Sequence, residues 1–220
     1  MNYVPTIDVQ LMIHSIPFVL SGLGYTLGIG LVAFLFGNVI GLGLTFLSLV
    51  EHKWLTRLIR LYCSFFRGVP ALVLLFILYF GLPYQLSAVS AATICFVLTS
   101  SAFIGEIYRG ALAGIPRGQF DAGFASGLNL GQVMRFIVFP QAFRISIPAL
   151  SNVFIDIMKG TSLAATITVP EIFQKAKIIG GRTFDYFTLY ILVALIYWGL
   201  CIVIEKLQVR LEDYFALQKN

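Results

Sequence analysis

The chain has 220 residues, of which 59% are hydrophobic and only 11% are charged, and its mean hydropathy is +0.90. Soluble domains of this length carry charge at about 25% of their positions, so the composition excludes a soluble protein and indicates an integral membrane protein. The net charge of +5 fits basic residues held on the cytoplasmic side of a membrane. The sequence contains no basic run with interleaved aromatic residues, the pattern that would indicate nucleic acid as a partner.

The membrane spans are identified as uncharged stretches of about 20 apolar residues. The fold class is therefore an all-α membrane protein, and we expect one transmembrane domain over residues 1–220, since no Pro/Ser-rich linker divides the chain. Pro17 suggests an interfacial turn at the start of the first span, and GLPYQLS a tight turn between the second and third. The five predicted spans lie at about residues 17–50, 68–83, 86–109, 140–165 and 186–206.

Lysine and arginine gather on the cytoplasmic side of a membrane, and five spans with the N-terminus outside, which put the C-terminus in the cytoplasm, satisfy this rule. With five spans, 11 of the 15 basic residues lie inside, and with four spans 12 do. The charge bias therefore leaves open whether the least apolar segment, 140–165, crosses the membrane. Both topologies place residues 106–144 in the cytoplasm.

The fourth predicted span reads as polar and interrupted, because Pro148 and Gly160 accompany charged residues in an apolar background. Asn152, Asp156 and Lys159 lie at i, i+4 and i+7, on one face of a helix.

Thr161 and Ser162 follow this face directly in the sequence, so a carboxylate, an ammonium group and two hydroxyls lie close together in an apolar segment. Ionisable groups at membrane depth usually line a polar path or pair with one another. The alternative, that Asp156 and Lys159 only neutralise each other at i and i+3, remains open.

Residues 118–132, GQFDAGFASGLNLGQ, form a polar insert between strongly apolar segments. Phe120, Phe124 and Leu128 recur at every fourth position, which predicts one stripe of a short helix at about 117–128, with Pro116 at its start. The helix either packs its phenylalanines on its own bundle or docks on a soluble partner and transmits force.

Glycines in the same insert also repeat at every fourth position, at Gly123, Gly127 and Gly131. They form either a smooth track for a bulkier partner or, at Gly127 and Gly131, a helix stop and a turn.

GQFDAGFASGLNLGQVMRFIVFPQAFRISIPALSN (118–152) resembles the cytoplasmic coupling segment, the EAA loop, of ABC importer permeases. The likeness is greatest to the polar amino acid branch, which includes histidine, glutamine, arginine and cystine permeases. RGVPALVLLFILYFGLP (67–83), EIYRGALAGIPRGQ (106–119) and KGTSLAATITVPEI (159–172) resemble other characteristic stretches of that branch, in the same order. Gly123 and Phe124 depart from the usual Ala-Arg pair, and Gly160 stands where many relatives have Asp.

The resemblance implies a type I ABC importer permease, the transmembrane subunit that forms the path for a polar amino acid in an ATP-driven importer. It implies a bacterial cytoplasmic (inner) membrane location, in contact with lipid. The implied partners are a dimer of ABC ATP-binding subunits, an extracytoplasmic substrate-binding protein that docks near residues 81–90 and 160–185, and a second permease, identical or a sibling. The implied ATPase-coupling residues are Gly118, Gln119, Phe120, Asp121, Ala122, Phe124 and Gly127.

No cofactor is expected in the chain itself. The phosphate-binding pattern G-x-x-x-x-G-K-[ST] is absent, so ATP and Mg would be bound by the partner ATPase. His14 and His52 stand alone and the three cysteines include no C-x-x-C pair, so we expect neither a metal site nor an enzyme. The alternative function is an ATP-independent secondary amino acid transporter or channel subunit, which would need no docking helix.

For an amino acid permease, the charged face of the fourth predicted span is the candidate substrate site, because a carboxylate, an ammonium group and hydroxyls together suit a zwitterionic amino acid. The predicted substrate contacts are Asn152, Asp156, Lys159, Thr161 and Ser162. The residues near Gly160 bear on which amino acid is carried. The missing Asp at Gly160 argues against a cationic substrate such as arginine, and KGTSL followed by EIFQKAKIIGGRTF resembles cystine-type permeases. We expect cystine or a related sulfur amino acid, with glutamine, glutamate and histidine as the next candidates.

Overall fold

The computed structural model of the protein describes residues 6–50 and 52–217, and within them every regular element is helical. The single-domain prediction therefore extends, at residues 1–5, 51 and 218–220, outside the described residues. The elements in chain order are α1 (Val9–Leu20), α2 (Leu23–Ser48), α3 (Lys53–Gly68), α4 (Ala71–Phe80), α5 (Ala88–Ala113), α6 (Arg117–Ala125), α7 (Leu130–Val133), a π turn (Met134–Val138), α8 (Phe139–Gly160), a 3₁₀ helix (Thr161–Ile167), α9 (Ile172–Thr183) and α10 (Tyr186–Leu217).

The most extensive helix contact joins α2 to α5. Gly37 and Gly41, one turn apart on α2, face α5, and a methyl group at Gly41 would come within 2.8 Å of Ile104 Cγ2 and 3.0 Å of the Gly105 nitrogen. One turn further, the Thr45 hydroxyl donates to the Gly105 carbonyl at 3.2 Å. The glycines thus allow the two backbones to approach closely, as small residues do between membrane helices.

The segment predicted as one span from residue 17 contains two helices. Pro17 lies inside α1, and the chain breaks instead at Ser21 and Gly22 before α2 begins. A methyl group at Gly22 would lie 2.5 Å from the carbonyl carbon of Glu171. The turn therefore falls at a glycine because a side chain there would collide with the backbone of Glu171. Of the two helices, only α2 is long and apolar enough to cross the membrane.

The stretch predicted as a span at 68–83 contains α4, which has only 10 residues and is too short to cross the membrane by itself. It follows α3 after a bend of 100°. Pro70 has no N–H to continue a helix, and it holds the preceding Val69 in an extended conformation, with φ −84° and ψ 129°. In the described part of the chain, four helical stretches are suited to crossing a membrane, or five if α3 and α4 together form one broken span.

The segment 140–165 is less interrupted than its composition predicts. The helical stretch from residue 130 to 167 qualifies as a membrane span, and α8 continues through Pro148 without a break. At Gly160 the chain only tightens into the 3₁₀ helix, which ends at Thr168 in the left-handed conformation. The π turn comes just before Pro140, which cannot donate a helical hydrogen bond and crowds the preceding turn.

Adding a methyl group between α2 and α5 tests this packing. Gly41→Ala is expected to lower the free energy of unfolding by about 1–3 kcal/mol, because the methyl group would overlap Ile104. Gly43→Ala is the matched control, since nothing lies within 4 Å of a methyl group there. The measurement is thermal unfolding of the purified chain in detergent. Equal unfolding temperatures for both variants would contradict the close approach.

Candidate functional site: a coupling helix and a charged cavity

The insert between α5 and α7 folds as the short helix α6. It begins at Arg117, directly after an extended Pro116, and ends at Ala125 rather than near residue 128. Gly127 adopts φ +79°, the left-handed conformation that glycine favours after a helix, and the Leu128 N–H returns to the Gly123 carbonyl at 3.2 Å. Gly127 therefore acts as the predicted helix stop.

The two phenylalanines of α6 point in different directions. Phe120 is half-buried and packs in a cluster of this chain's own residues that includes Ile115 and Val133. Phe124 is 47% exposed and makes no part of that cluster. Asp121 is exposed and lies directly after the first turn of α6.

Gly123 sets the position of α6 on the bundle. It is buried, and a methyl group there would come within 2.7 Å of Val133 Cγ2 and 2.9 Å of Ile137 Cδ1. A second link comes from Gln141 Nε2, which donates to Gln119 Oε1 at 2.9 Å. At Gly123, therefore, the space left by the missing side chain is filled by Val133 and Ile137 of this chain and not by a partner. The residues of α6 that remain exposed are Arg117, Gly118, Gln119, Asp121, Ala122, Phe124 and Ala125.

A capping box that the sequence analysis missed starts the helical stretch beneath α6. Asn129 Oδ1 accepts from the Gln132 N–H, and Gln132 Oε1 accepts from the Asn129 N–H, both at 2.9 Å. The spacing Asn-x-x-Gln before an apolar run is the signal that would have predicted it. The cap fixes the start of one continuous helical path through the π turn into α8.

A cavity of about 380 Å³ lies between the start of α4, the middle of α5 and the second half of α8. Its polar lining residues are Arg67, Thr99, Ser100 and Asp156. The hydroxyls of Thr99 and Ser100 donate to backbone carbonyls, at 2.9 and 3.2 Å. The charged groups on its wall are therefore a guanidinium from the α3–α4 side and a carboxylate from α8.

Arg67 holds its place through α5. Its Nη1 lies 3.7 Å from Glu106 Oε2, and its guanidinium carbon lies 5.4 Å from the centre of the Phe103 ring. Arg67 was not among the site residues predicted from the sequence. An arginine directly before Gly68, Pro70 and an apolar run is the signal that could have identified it as a candidate.

The substrate residues predicted from the sequence are only partly brought together. Asp156 lines the cavity, and Lys159 Nζ lies 3.2 Å from Asp156 Oδ1, so the two charges do pair. Asn152 is exposed on the same face of α8. Ser162 donates to the Lys159 carbonyl at 2.8 Å, and the buried Thr161 donates to the Met158 carbonyl at 2.7 Å. Neither hydroxyl lines the cavity.

A buried carboxylate fixes the segment after the 3₁₀ helix. Glu171 is fully buried and accepts from the backbone N–H groups of Phe173 and Gln174, at 2.8 and 2.7 Å, and from the Tyr197 hydroxyl at 2.9 Å. Burial raises the pKa of the Glu171 carboxyl, while these donors act against the rise. The contacts cap α9 and join it to α10, in the part of the chain predicted to face outward.

Comparison with known proteins assigns the class. Residues 37–214 match the family described as "Binding-protein-dependent transport system inner membrane component". The chain is 51% identical over 215 residues to the probable amino-acid ABC transporter permease protein YckA of Bacillus subtilis (strain 168), covering 95% of this chain and 94% of that protein. It is 36% identical over 208 residues to the L-cystine transport system permease protein TcyB of the same organism, covering 91% and 89%.

Solved structures agree with the sequence relatives. The fold is similar to a chain in a crystal structure of an amino acid ABC transporter with histidines, with a TM-score of 0.90, 30% identity and coverage of 95% of this chain and 99% of that chain. A chain of the inward-facing MetNI methionine ABC transporter shares the fold, with a TM-score of 0.77, 21% identity and coverage of 90% and 96%.

The chain therefore belongs to the binding-protein-dependent transport system inner membrane components. It is a multi-pass inner-membrane subunit that forms the translocation path of an ATP-driven importer, and it is a transport component rather than an enzyme. An ATP-binding subunit and a substrate-binding protein are the partners that this family implies.

Enlarging Gly123 tests how α6 is held. Gly123→Ala is expected to loosen α6, because the methyl group would overlap Val133, and to speed trypsin cleavage after Arg117 several-fold in the purified chain. Gly131→Ala is the control, since its methyl group would meet only Asn129 Oδ1, at 3.4 Å. Equal cleavage rates in the two variants would show that Gly123 does not position α6.

Proposed function

We propose that the chain, with a second permease subunit, carries a polar amino acid across the membrane, and that the cavity lined by Arg67 and Asp156 holds this substrate. The observation that carries the proposal is one guanidinium and one carboxylate on the wall of a mostly apolar cavity beside a spanning helix. Ionisable groups at membrane depth usually mark a substrate path. The names of the relatives, which are amino-acid permeases, support the substrate class.

A zwitterionic amino acid matches this pair of charges. Its carboxylate would accept two parallel hydrogen bonds from the Arg67 guanidinium, and its ammonium group would approach Asp156. Lys159 would neutralise Asp156 while the cavity is empty, which is the pairing seen in the structure. Loading the substrate would then exchange one partner of Asp156 for another, at little electrostatic cost.

The remaining residues of the predicted cluster take supporting roles in the proposal. Asn152, Asp156 and Lys159 are all exposed on one face of α8, where lipid would leave them unsolvated. This face would therefore border the path shared with the second permease, which is either an identical copy or a sibling chain. Thr161 and Ser162 would shape the turn after Lys159 through their bonds to backbone carbonyls.

Cystine or a related sulfur amino acid is the proposed substrate. Gly160 lines the cavity, so the chain lacks a second carboxylate there for a cationic side chain. The relative TcyB, named as an L-cystine permease, supports the same choice. Glutamine, glutamate and histidine are the next candidates.

Movement would be driven from the exposed face of α6. ATP and Mg would be bound by a dimer of ATP-binding subunits, with Phe124 and Asp121 of α6 entering a groove on one of them. Closure of the two ATPases on ATP would displace α6, and the contact at Gly123 would pass the displacement to α8. In the proposed arrangement, α6 and the C-terminus would lie in the cytoplasm. The binding protein would dock on the outer segments near residues 81–90 and 160–185.

Uptake by the reconstituted transporter tests the proposed function. Proteoliposomes would contain this chain with its ATP-binding subunit and binding protein, and uptake of labelled cystine, arginine and glutamine would be compared with and without ATP. ATP-dependent uptake that favours cystine is expected, with loss of most uptake in Asp156→Asn and in Arg67→Gln. Normal transport by both variants would exclude the cavity as the substrate site, and ATP-independent uptake would contradict the importer mechanism.

Substitution of Gly160 tests the selectivity of the same cavity. Gly160→Asp is expected to raise the ratio of arginine to cystine uptake about tenfold, because it adds a carboxylate to the wall. Gly160→Asn is the control for size, since either side chain would have its first atom 3.3 Å from the Phe96 ring. A similar ratio in the Asp and Asn variants would show that charge at residue 160 does not select the substrate.

A further inference from the structure

The helix α3 differs from the spanning helices in how its side chains are arranged. Its buried side, which includes Tyr62 and Cys63, packs on α5, where the Tyr62 hydroxyl bonds Ser101 Oγ at 2.7 Å. The 100° bend at Val69 and Pro70 means that α3 runs nearly perpendicular to α4. Since α4 packs on α5, which is long enough to span the membrane, an α3 perpendicular to α4 would run along the membrane surface.

An apolar stripe on α3 is left exposed by the described part of the chain. It recurs at i, i+4, i+7 and i+11, so it forms one continuous face of the helix. Its four side chains are between 48% and 70% exposed. They are Trp54, Leu58, Leu61 and Phe65.

Basic residues lie beside this stripe. Lys53, Arg57 and Arg60 are exposed, and residues 52–68 contain no Asp or Glu. None of the three forms an ion pair with another described residue. The Arg57 guanidinium carbon lies 5.7 Å from the centre of the Trp54 ring, so the cation and the apolar stripe meet at one edge.

We propose that α3 lies in the membrane interface and binds anionic phospholipid. Its apolar stripe would enter the acyl-chain region, and Lys53, Arg57 and Arg60 would contact the lipid phosphates. A short helix with aromatic and leucine residues on one side and only basic charges on the next is the arrangement that binds anionic membrane surfaces. The inference is independent of which substrate the cavity holds.

The surface also lies next to the proposed coupling machinery. A cavity of about 650 Å³ is lined by Thr56 and Arg60 of α3, Glu106 of α5 and Phe120 of α6. The lipid surface and α6 are therefore at the same end of the bundle, so lipid charge would act at the end where the ATP-binding subunits are proposed to dock.

Tryptophan fluorescence provides a direct test, because the chain has only two tryptophans, Trp54 and Trp198. Trp198→Phe leaves Trp54 as the sole reporter in the full chain. Two bilayers would have the same lipid composition, phosphatidylcholine with a smaller share of phosphatidylglycerol. They would differ only in which of the two lipids carries bromine, and the amount of brominated lipid would be the same in both. Bromine quenches only tryptophans that it contacts, so the comparison reports which lipid lies next to Trp54.

Quenching by brominated phosphatidylglycerol is expected to exceed that by brominated phosphatidylcholine about twofold or more, since each nearby basic residue attracts anionic lipid. In the same reporter chain, Lys53→Gln, Arg57→Gln and Arg60→Gln together should abolish the difference while leaving quenching by phosphatidylcholine. The matched control removes three basic residues elsewhere, by Lys175→Gln, Lys177→Gln and Arg182→Gln, and should keep the difference.

Three results would overturn the proposal. Equal quenching by the two lipids would show that α3 does not prefer anionic lipid. Weak quenching by both would show that protein, such as a second copy of the chain, covers Trp54. An unchanged preference in the variant of Lys53, Arg57 and Arg60 would show that these residues do not bind the lipid.

Discussion

The missing side chain of Gly123 is the constraint on which the proposed coupling end of the protein depends. It lets α6 rest against Val133 and Ile137 at a distance where a methyl group would overlap both side chains. Because packed interiors resist small volume changes, we expect a contact this close to make α6 and the helical stretch below it move together. The Gln119–Gln141 hydrogen bond adds a second link one turn away. Force applied to the exposed side of α6 therefore has a short route into the membrane.

The route continues along one helical path from the capping box at Asn129 to Gly160. The π turn before Pro140 interrupts its hydrogen-bond pattern but not its continuity. At the far end, Asp156 and Gly160 line the charged cavity. Residues of α5 form another wall, and the hydroxyls of Thr45 and Ser100 bond across the contact between α5 and α2. A rigid pair of helices thus faces a helix that connects directly to α6.

The sequence predicted the elements whose signals are local. Pro116 predicted the start of α6. The polar composition of residues 118–132 predicted a segment distinct from the apolar stretches on either side. The errors came from tertiary or backbone effects. The sequence offered Gly127 as a helix stop, but α6 ends at Ala125, before the predicted end near residue 128. The extended Val69 before Pro70 separates α4 from α3. Arg67 lines the cavity together with residues of α5 and α8, and no spacing in the sequence reveals that these helices meet there.

The central claim is that α6 and α8 move as one body when ATP binds. Spin labels at Ala125 and Ile145, both exposed, would report the distance between α6 and α8 in the assembled transporter, after replacement of the three native cysteines. A second labelling would measure between the α8 helices of the two permeases. We predict that ATP leaves the first distance unchanged and changes the second. A shift of α6 relative to α8, with the two α8 helices fixed, would contradict the account.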